Sequence, residues 1–276
     1  MKVKELLQIG IDKLKEANID EAIFKAKLVM AYVLDKPKEY LITHSDEELE
    51  EKQVNDVLNG IDKLVQGIPL EYITNKREFM RLNFYVNEDV LIPRQDTEIL
   101  VEEVIKKCKQ GKILDLCTGS GAIGISLAKY IPETIVYASD ISEKALKIAK
   151  RNARENNVKV KFIQSDLFEN IQEKDFDVIV SNPPYVETAA IETLEENVKK
   201  EPILALDGGE DGLDFYRNII MNAPMYLKQG GMLALEIGYN QAEAVCNLLK
   251  ENGNYDNTKV VKDLGENDRV VLANIM

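Results

Sequence analysis

Ile113-Leu-Asp-Leu-Cys-Thr-Gly-Ser-Gly-Ala-Ile-Gly124 reads as a buried strand that runs into a glycine-rich turn and then into a helix. Gly119 and Gly121 allow the backbone to approach a ligand with no Cβ between them. Asp115, near the strand end, can accept hydrogen bonds from an ammonium group or from ordered water, and Thr118 belongs to the same turn. A Gly-x-Gly at a strand-helix corner can also serve only close packing, so the neighbours decide its meaning.

Working outward, strand-length apolar runs recur at 113–116, 135–139, 158–163, 178–181 and 232–237, mostly separated by helix-length amphipathic stretches such as 143–156. This alternation predicts a parallel, doubly wound α/β sheet. Two further strands, 258–261 and 269–273, are joined by a short polar segment with no helix, so they should pair antiparallel at one edge and complete seven strands. Before the sheet, residues 1–75 show only helical spacing, as in Leu6, Leu7 and Leu14 or Leu58, Ile61, Leu64 and Val65, and predict a small all-helical domain. Residues 76–93 change character. Leu82, Phe84 and Val86 alternate with polar residues, Asn87 to Asp89 resembles a turn, and Val90 to Ile92 follow, so a β-hairpin linker is expected. Asp96 or Thr97 should cap the next helix, which opens the domain at 94–276.

The acid at the end of the second strand, Asp140, stands about 20 residues beyond the glycines, the spacing at which a carboxylate reaches ribose hydroxyls. A third strand ends in Asp166-Leu167-Phe168, where the acid can accept from an adenine amino group and the apolar side chains can flank the ring. Each acid alone could be a helix cap, but successive strand ends are where open α/β sheets bind ligands. The turn has no phosphate-binding lysine. Gly124 leaves a nicotinamide cofactor as a minor alternative. An acid at the turn repels a pyrophosphate and favours the cationic methionyl end of S-adenosylmethionine.

The fourth strand leads straight into Asn182-Pro183-Pro184-Tyr185. Two prolines cannot continue a central strand, so the chain must leave the sheet at its ligand-binding edge. Proline offers a carbonyl without an N–H, and the Asn182 side-chain oxygen is a second acceptor, so together they can grip both hydrogens of an NH2 group. Tyr185 can add an aromatic wall against a flat acceptor. The bland reading of the tetrad is a rigid turn, which the glycine turn and Asp140 make the weaker one.

Composition narrows the field. Hydrophobic residues make up 45% and charged residues 30%, the profile of a folded domain. No apolar run approaches a membrane span, and charges interrupt the first residues, so no membrane and a cytoplasmic location are expected. The three cysteines are scattered, and the single histidine, His44, sits among Ser45, Asp46 and Glu47, so neither disulfide, metal nor histidine base chemistry is expected. A net charge of −13 opposes adhesion to a polyphosphate, so direct nucleic-acid binding is not expected.

With these motifs in view, the chain resembles the HemK-like peptide chain release factor N5-glutamine methyltransferases over nearly its whole length. The matching segments include Pro69-Leu-Glu-Tyr72, Val90-Leu-Ile-Pro-Arg-Gln-Asp-Thr-Glu98, 115–121, 181–185, Glu201-Pro202 and Leu235-Glu-Ile-Gly238 with Gln241. The resemblance implies a Rossmann-like class I methyltransferase sheet and S-adenosylmethionine as methyl donor, leaving S-adenosylhomocysteine. It implies methylation of the glutamine amide in the Gly-Gly-Gln loop of class 1 release factors, with Asn182 and Pro183 holding the amide and the helical domain helping to hold the substrate. Arg94 and Thr97 are expected to line the site, although Arg94 could instead bridge to an acid. Cys117 stands where the family usually carries glycine, and a small side chain is accommodated there if φ is negative. The rivals are a nucleic-acid methyltransferase acting on adenine N6 or guanine N2, which shares the Asn-Pro-Pro-Tyr tetrad, and a non-catalytic adenosyl-ligand-binding module.

Overall fold

The computed structural model describes residues 1–276. The chain forms two compact units, Met1–Lys76 with Glu195–Lys200, and Arg77–Leu194 with Glu201–Met276. No helix is long and apolar enough to cross a membrane.

The first unit contains α1 (Val3–Glu16), α2 (Ala22–Leu34), the short α3 (Tyr40–Thr43), α4 (Glu51–Val65) and α5 (Leu70–Thr74). Its core follows the helical spacing: Leu6, Leu14, Val29, Met30 and Ile61 are fully buried, each worth roughly 1.5–3 kcal/mol on folding. The N-termini of α1 and α4 are closed locally. Glu5 accepts from the Lys2 N–H at 2.9 Å and Gln53 from the Glu50 N–H at 3.0 Å, which satisfies backbone donors just ahead of each helix. His44 follows α3 and stacks on Tyr40, ring centres 3.9 Å apart.

The second unit opens with a hairpin of β1 (Arg77–Phe79) and β2 (Leu82–Phe84), followed by α6 (Asp96–Lys107). The hairpin turns earlier than expected. Phe79 pairs with Leu82, so Met80 and Arg81 form a two-residue loop, with φ of 49° and 57°. Both central residues are left-handed, the backbone of a type I′ turn. Such turns usually announce themselves as Asn-Gly, a signal that Met-Arg does not carry. Residues 87–89 do turn, with Asn87 Oδ1 accepting from the Asp89 N–H at 3.1 Å, but Val90 to Ile92 form no strand. Phe79 and Phe84, each 1% exposed, pack edge to face inside the core of this unit. Helix α6 also departs from expectation: Gln95 precedes it, and neither Asp96 nor Thr97 caps it.

The sheet runs β3 (Gly111–Leu116), β4 (Thr134–Asp140), β5 (Val160–Gln164), β6 (Phe176–Ser181), β7 (Leu227–Glu236), β8 (Tyr255–Lys262) and β9 (Asp268–Ile275) along the chain. In space the order is β5-β4-β3-β6-β7-β9-β8. The first five are parallel, β9 lies antiparallel to β7, and β8 closes the edge antiparallel to β9. Helices α7 (Ala122–Tyr130), α8 (Glu143–Glu155), α9 (Asp214–Asn222) and α10 (Ala242–Asn252) complete the unit. Alternate residues of the central strands enter different cores. Leu114, Leu116 and Ile179 join one cluster, and Ile113, Val178 and Val180 the other, as two covered sheet faces require. The chain winds outward from β3 in one direction and returns at β6 on its other side. The C-terminal ends of β3 and β6 therefore meet at the switch point of the sheet, where such folds bind ligands.

Candidate active site

The loop after β3 is held from below by Asp115. This carboxylate is fully buried, and its Oδ2 accepts from the Thr118 hydroxyl at 2.5 Å and from the Gly124 N–H at 2.9 Å. Burial pushes its pKa up to about 7 against the opposing pull of those two donors. Asp115 and Thr118, expected to contact the cofactor, thus brace the turn from beneath and are not on the wall of the cavity above it. Asp115 Oδ1 is buried with no partner, an acceptor still to be satisfied. Gly121 is also structural. It begins α7 at φ 85°, where a Cβ would meet Ile125 at 2.7 Å. At Gly119, φ 54°, a Cβ would find nothing within 4 Å. Cys117 has φ of 57°, so the condition of a negative φ fails and a side chain sits in the left-handed region that favours glycine. Its thiol is kept protonated, first by burial and then by nearby Asp140.

A cavity of about 300 Å³ opens above this loop, within the range of small-ligand sites. Of the predicted residues it brings together Gly119, Asp140, Asp166, Leu167, Asn182 and Pro184. Asp140, at the end of β4, accepts from the Gly119 N–H at 2.8 Å and from the Ser142 N–H at 2.9 Å through separate oxygens. Burial raises its pKa and these backbone donors partly offset the rise. Each oxygen keeps a lone pair for a hydroxyl. Asp166 is exposed at the rim, and Leu167 adopts φ 42°. Phe168 does not line the cavity as expected. Beyond the left-handed Leu167 it enters the core and stacks on Tyr226, centroids 4.6 Å apart.

At the end of β6 the Ser181 hydroxyl donates to the Leu116 carbonyl at 2.8 Å, tying the two central strand ends together. Asn182 then reaches the cavity, and its Nδ2 donates to Thr97 Oγ1 at 3.3 Å. Thr97, 4% exposed, stands behind Asn182 and does not line the cavity. Pro183 is buried and is not on the cavity wall. Tyr185 forms no wall either. Its ring packs on the core, and its carbonyl accepts from Gln241 Nε2 at 3.0 Å, which clamps the loop. Arg94 is turned to Glu201, 2.5 Å away, the bridging role left open by the sequence.

Several wall residues went unassigned: Val90 and Leu91, Pro202, Leu204 and Ala205, and Phe215. Most stand in or beside segments quoted for the resemblance, which was the available signal. The buried Glu201 shows why they belong together. It accepts from the Ile92 N–H at 3.0 Å as well as from Arg94, pinning residues 92–94 to the Glu-Pro turn. Val186 pairs with Leu206 and Gly208 through backbone bonds of 2.9 and 2.8 Å, which ties that turn to the tetrad. No group of three or more His, Cys, Asp or Glu side chains could hold a metal ion.

The donor set suits S-adenosylmethionine. The open Gly119, the acids Asp140 and Asp166, and the apolar Leu167 and Ala145 match a cationic adenosyl ligand better than a pyrophosphate.

Residues 94–200 match the family described as methyltransferase small domain, and residues 5–74 the PrmC N-terminal domain. A release factor glutamine methyltransferase of Clostridium acetobutylicum is 43% identical, covering 99% of this chain and 98% of that protein. A second, from Moorella thermoacetica, is 40% identical with the same coverage. Among solved structures, a methyltransferase from Pyrococcus furiosus matches 71% of this chain and 90% of its own at 23% identity and a TM-score of 0.53, a likeness of fold. Identity of this extent, on a sheet whose switch point carries this cavity, makes the chain a member of the release factor glutamine methyltransferase family.

Proposed function

We propose that this protein methylates the side-chain amide nitrogen of the glutamine in the Gly-Gly-Gln loop of class 1 peptide chain release factors, using S-adenosylmethionine. The observation that carries the reading is Asn182 at the cavity wall with its Nδ2 engaged by Thr97, which leaves Oδ1 as the acceptor available to a substrate NH2. S-adenosylmethionine supplies an electrophilic methyl group. The protein's own task is to present the nitrogen. An amide nitrogen is a poor nucleophile because its lone pair is delocalised into the carbonyl. Asn182 Oδ1 at the cavity wall on one N–H, and the Pro183 carbonyl on the other once the tetrad turns it from its buried position toward the cavity, would orient that lone pair and stabilise the positive charge that develops on nitrogen. The methylated cation is acidic enough to lose its proton to water, so no strong base is required.

Asp140 and Asp166 are assigned to the cofactor, with Gly119 giving the backbone approach, and the helical domain of residues 1–75 to holding the release factor. Residues 76–93 link it to the methyltransferase domain at 94–276. Release factors act at the ribosome, so the reading carries a cytoplasmic location with it. A nucleic-acid acceptor would use the same tetrad, but a net charge of −13 disfavours it. The test is transfer of labelled methyl to a release factor, with DNA and ribosomal RNA in parallel and peptide mass spectrometry to find the modified residue. One methyl on the Gly-Gly-Gln glutamine is expected, and label on nucleic acid alone would overturn the substrate.

A further inference from the structure

We propose that Thr97 is a positioning residue for the reaction, its hydroxyl holding the Asn182 amide in the one orientation that presents Oδ1 to the acceptor nitrogen, with Glu236 setting the direction of that hydroxyl. The inference rests on the proposed role of Asn182 in gripping the substrate NH2. An asparagine amide has two orientations of nearly equal shape and opposite polarity. Flipped, Asn182 would aim its own NH2 at the NH2 of the substrate, setting donors against donors. Something must choose between the two.

Thr97 makes the choice because its hydroxyl has one proton and is 4% exposed, so water cannot substitute for its partners. Asn182 Nδ2 donates to Thr97 Oγ1 at 3.3 Å. On its other side the Thr97 hydroxyl neighbours the carboxylate of Glu236, at the end of β7, and favours the ionised form of that acid. An ionised carboxylate only accepts, so an ionised Glu236 draws the Thr97 proton toward itself and leaves the Thr97 oxygen as the acceptor for Asn182. Glu236 is 1% exposed, and its Oε2 has no partner.

Besides Thr97, the charged groups that act on Glu236 are Arg269, whose Nε is buried without a partner, Arg94 and Asp96. Arg269 is drawn to Asp263 at 3.0 Å and Asp96 at 3.2 Å, and Arg94 to Glu201. Tyr216 donates to the Glu236 main-chain carbonyl at 3.0 Å, and Tyr185 is kept neutral by burial. Burial raises the Glu236 pKa to about 7, against the pull of Thr97, Arg269 and Arg94. A protonated Glu236 can donate to Thr97, which frees the Thr97 proton for Asn182 Oδ1 and favours the flipped amide. Turnover therefore belongs to the ionised form and is lost as pH falls through about 7.

The experiment compares wild type, Thr97→Val, Thr97→Ser and Glu236→Gln on a release factor, reading kcat, the cofactor Kd, the melting temperature and the pH dependence of kcat. Thr97→Val, nearly isosteric, should lower kcat about tenfold or more with the cofactor Kd unchanged. Thr97→Ser should restore it to within about threefold, and the acidic limb near pH 7 should vanish in Glu236→Gln. If Thr97→Val keeps wild-type kcat, or Thr97→Ser is equally impaired, or the limb survives in Glu236→Gln, the proposal falls while the function stands. If the wild type transfers no methyl to the release factor, the functional reading falls and this proposal with it.

Discussion

Asn182 and Asp140 line one cavity from the ends of β6 and β4, and the proposed function assigns them separable halves of the chemistry. Replacing Asn182 with alanine should cut kcat by about 10²-fold or more and leave the cofactor Kd nearly unchanged, the scale for losing one oriented polar group. Asp140→Ala should do the converse, raising the cofactor Kd by about tenfold, since a charged acceptor to a hydroxyl is worth roughly 1.5–3 kcal/mol. Initial rates and calorimetric titration would check the pair, and equal losses in both parameters for either variant would refute the division. Both residues were legible in the sequence because each ends a strand, where side chains emerge at the ligand edge. Asp115 was legible only as an acid near the turn. Its downward bonds to Thr118 and Gly124, and the left-handed backbone of Cys117, are set by how the loop closes over α7.

At the scale of elements, the parallel strands were the easiest to read and the hairpin the hardest. A strand covered on both faces is a continuous apolar run, whereas β1 and β2 are three residues each and their turn is Met-Arg. Arg81 is exposed at φ 57°, so Arg81→Gly should stabilise the protein by about 1 kcal/mol, a gain in melting temperature of a few degrees by calorimetry. A lower melting temperature would show that the arginine side chain contributes more than its backbone costs. Helix α6 teaches the same lesson from the other side. Thr97 has the chemistry of an N-cap, yet it lies inside the first turn with its hydroxyl against Asn182, a residue 85 positions away.

For the molecule as a whole, two buried carboxylates shape the response to pH. Asp115 holds its proton more tightly when folded, with a pKa of about 7, than when unfolded, where the value is about 3.9. Its neutral form therefore supports the fold fully below about pH 4, and that support is lost as pH rises through 7. Between pH 5 and 8, urea unfolding of Asp115→Asn should gain on wild type by on the order of 2–3 kcal/mol, and a constant difference would contradict a raised pKa. Glu236 is pushed to about 7 by burial as well, so the wild-type curve contains both contributions. Local pattern determined the order of strands and helices, the all-helical start, and the strand-end residues Asp140, Asp166 and Asn182, because periodicity and strand termini are properties of neighbours in the chain. Tertiary structure alone decided that Phe168 and Tyr185 serve the core, that Arg94 answers Glu201, and that Thr97 stands between Glu236 and Asn182. Those outcomes depend on partners brought together from distant parts of the sequence, where burial leaves a polar side chain only the acceptors and donors that packing supplies.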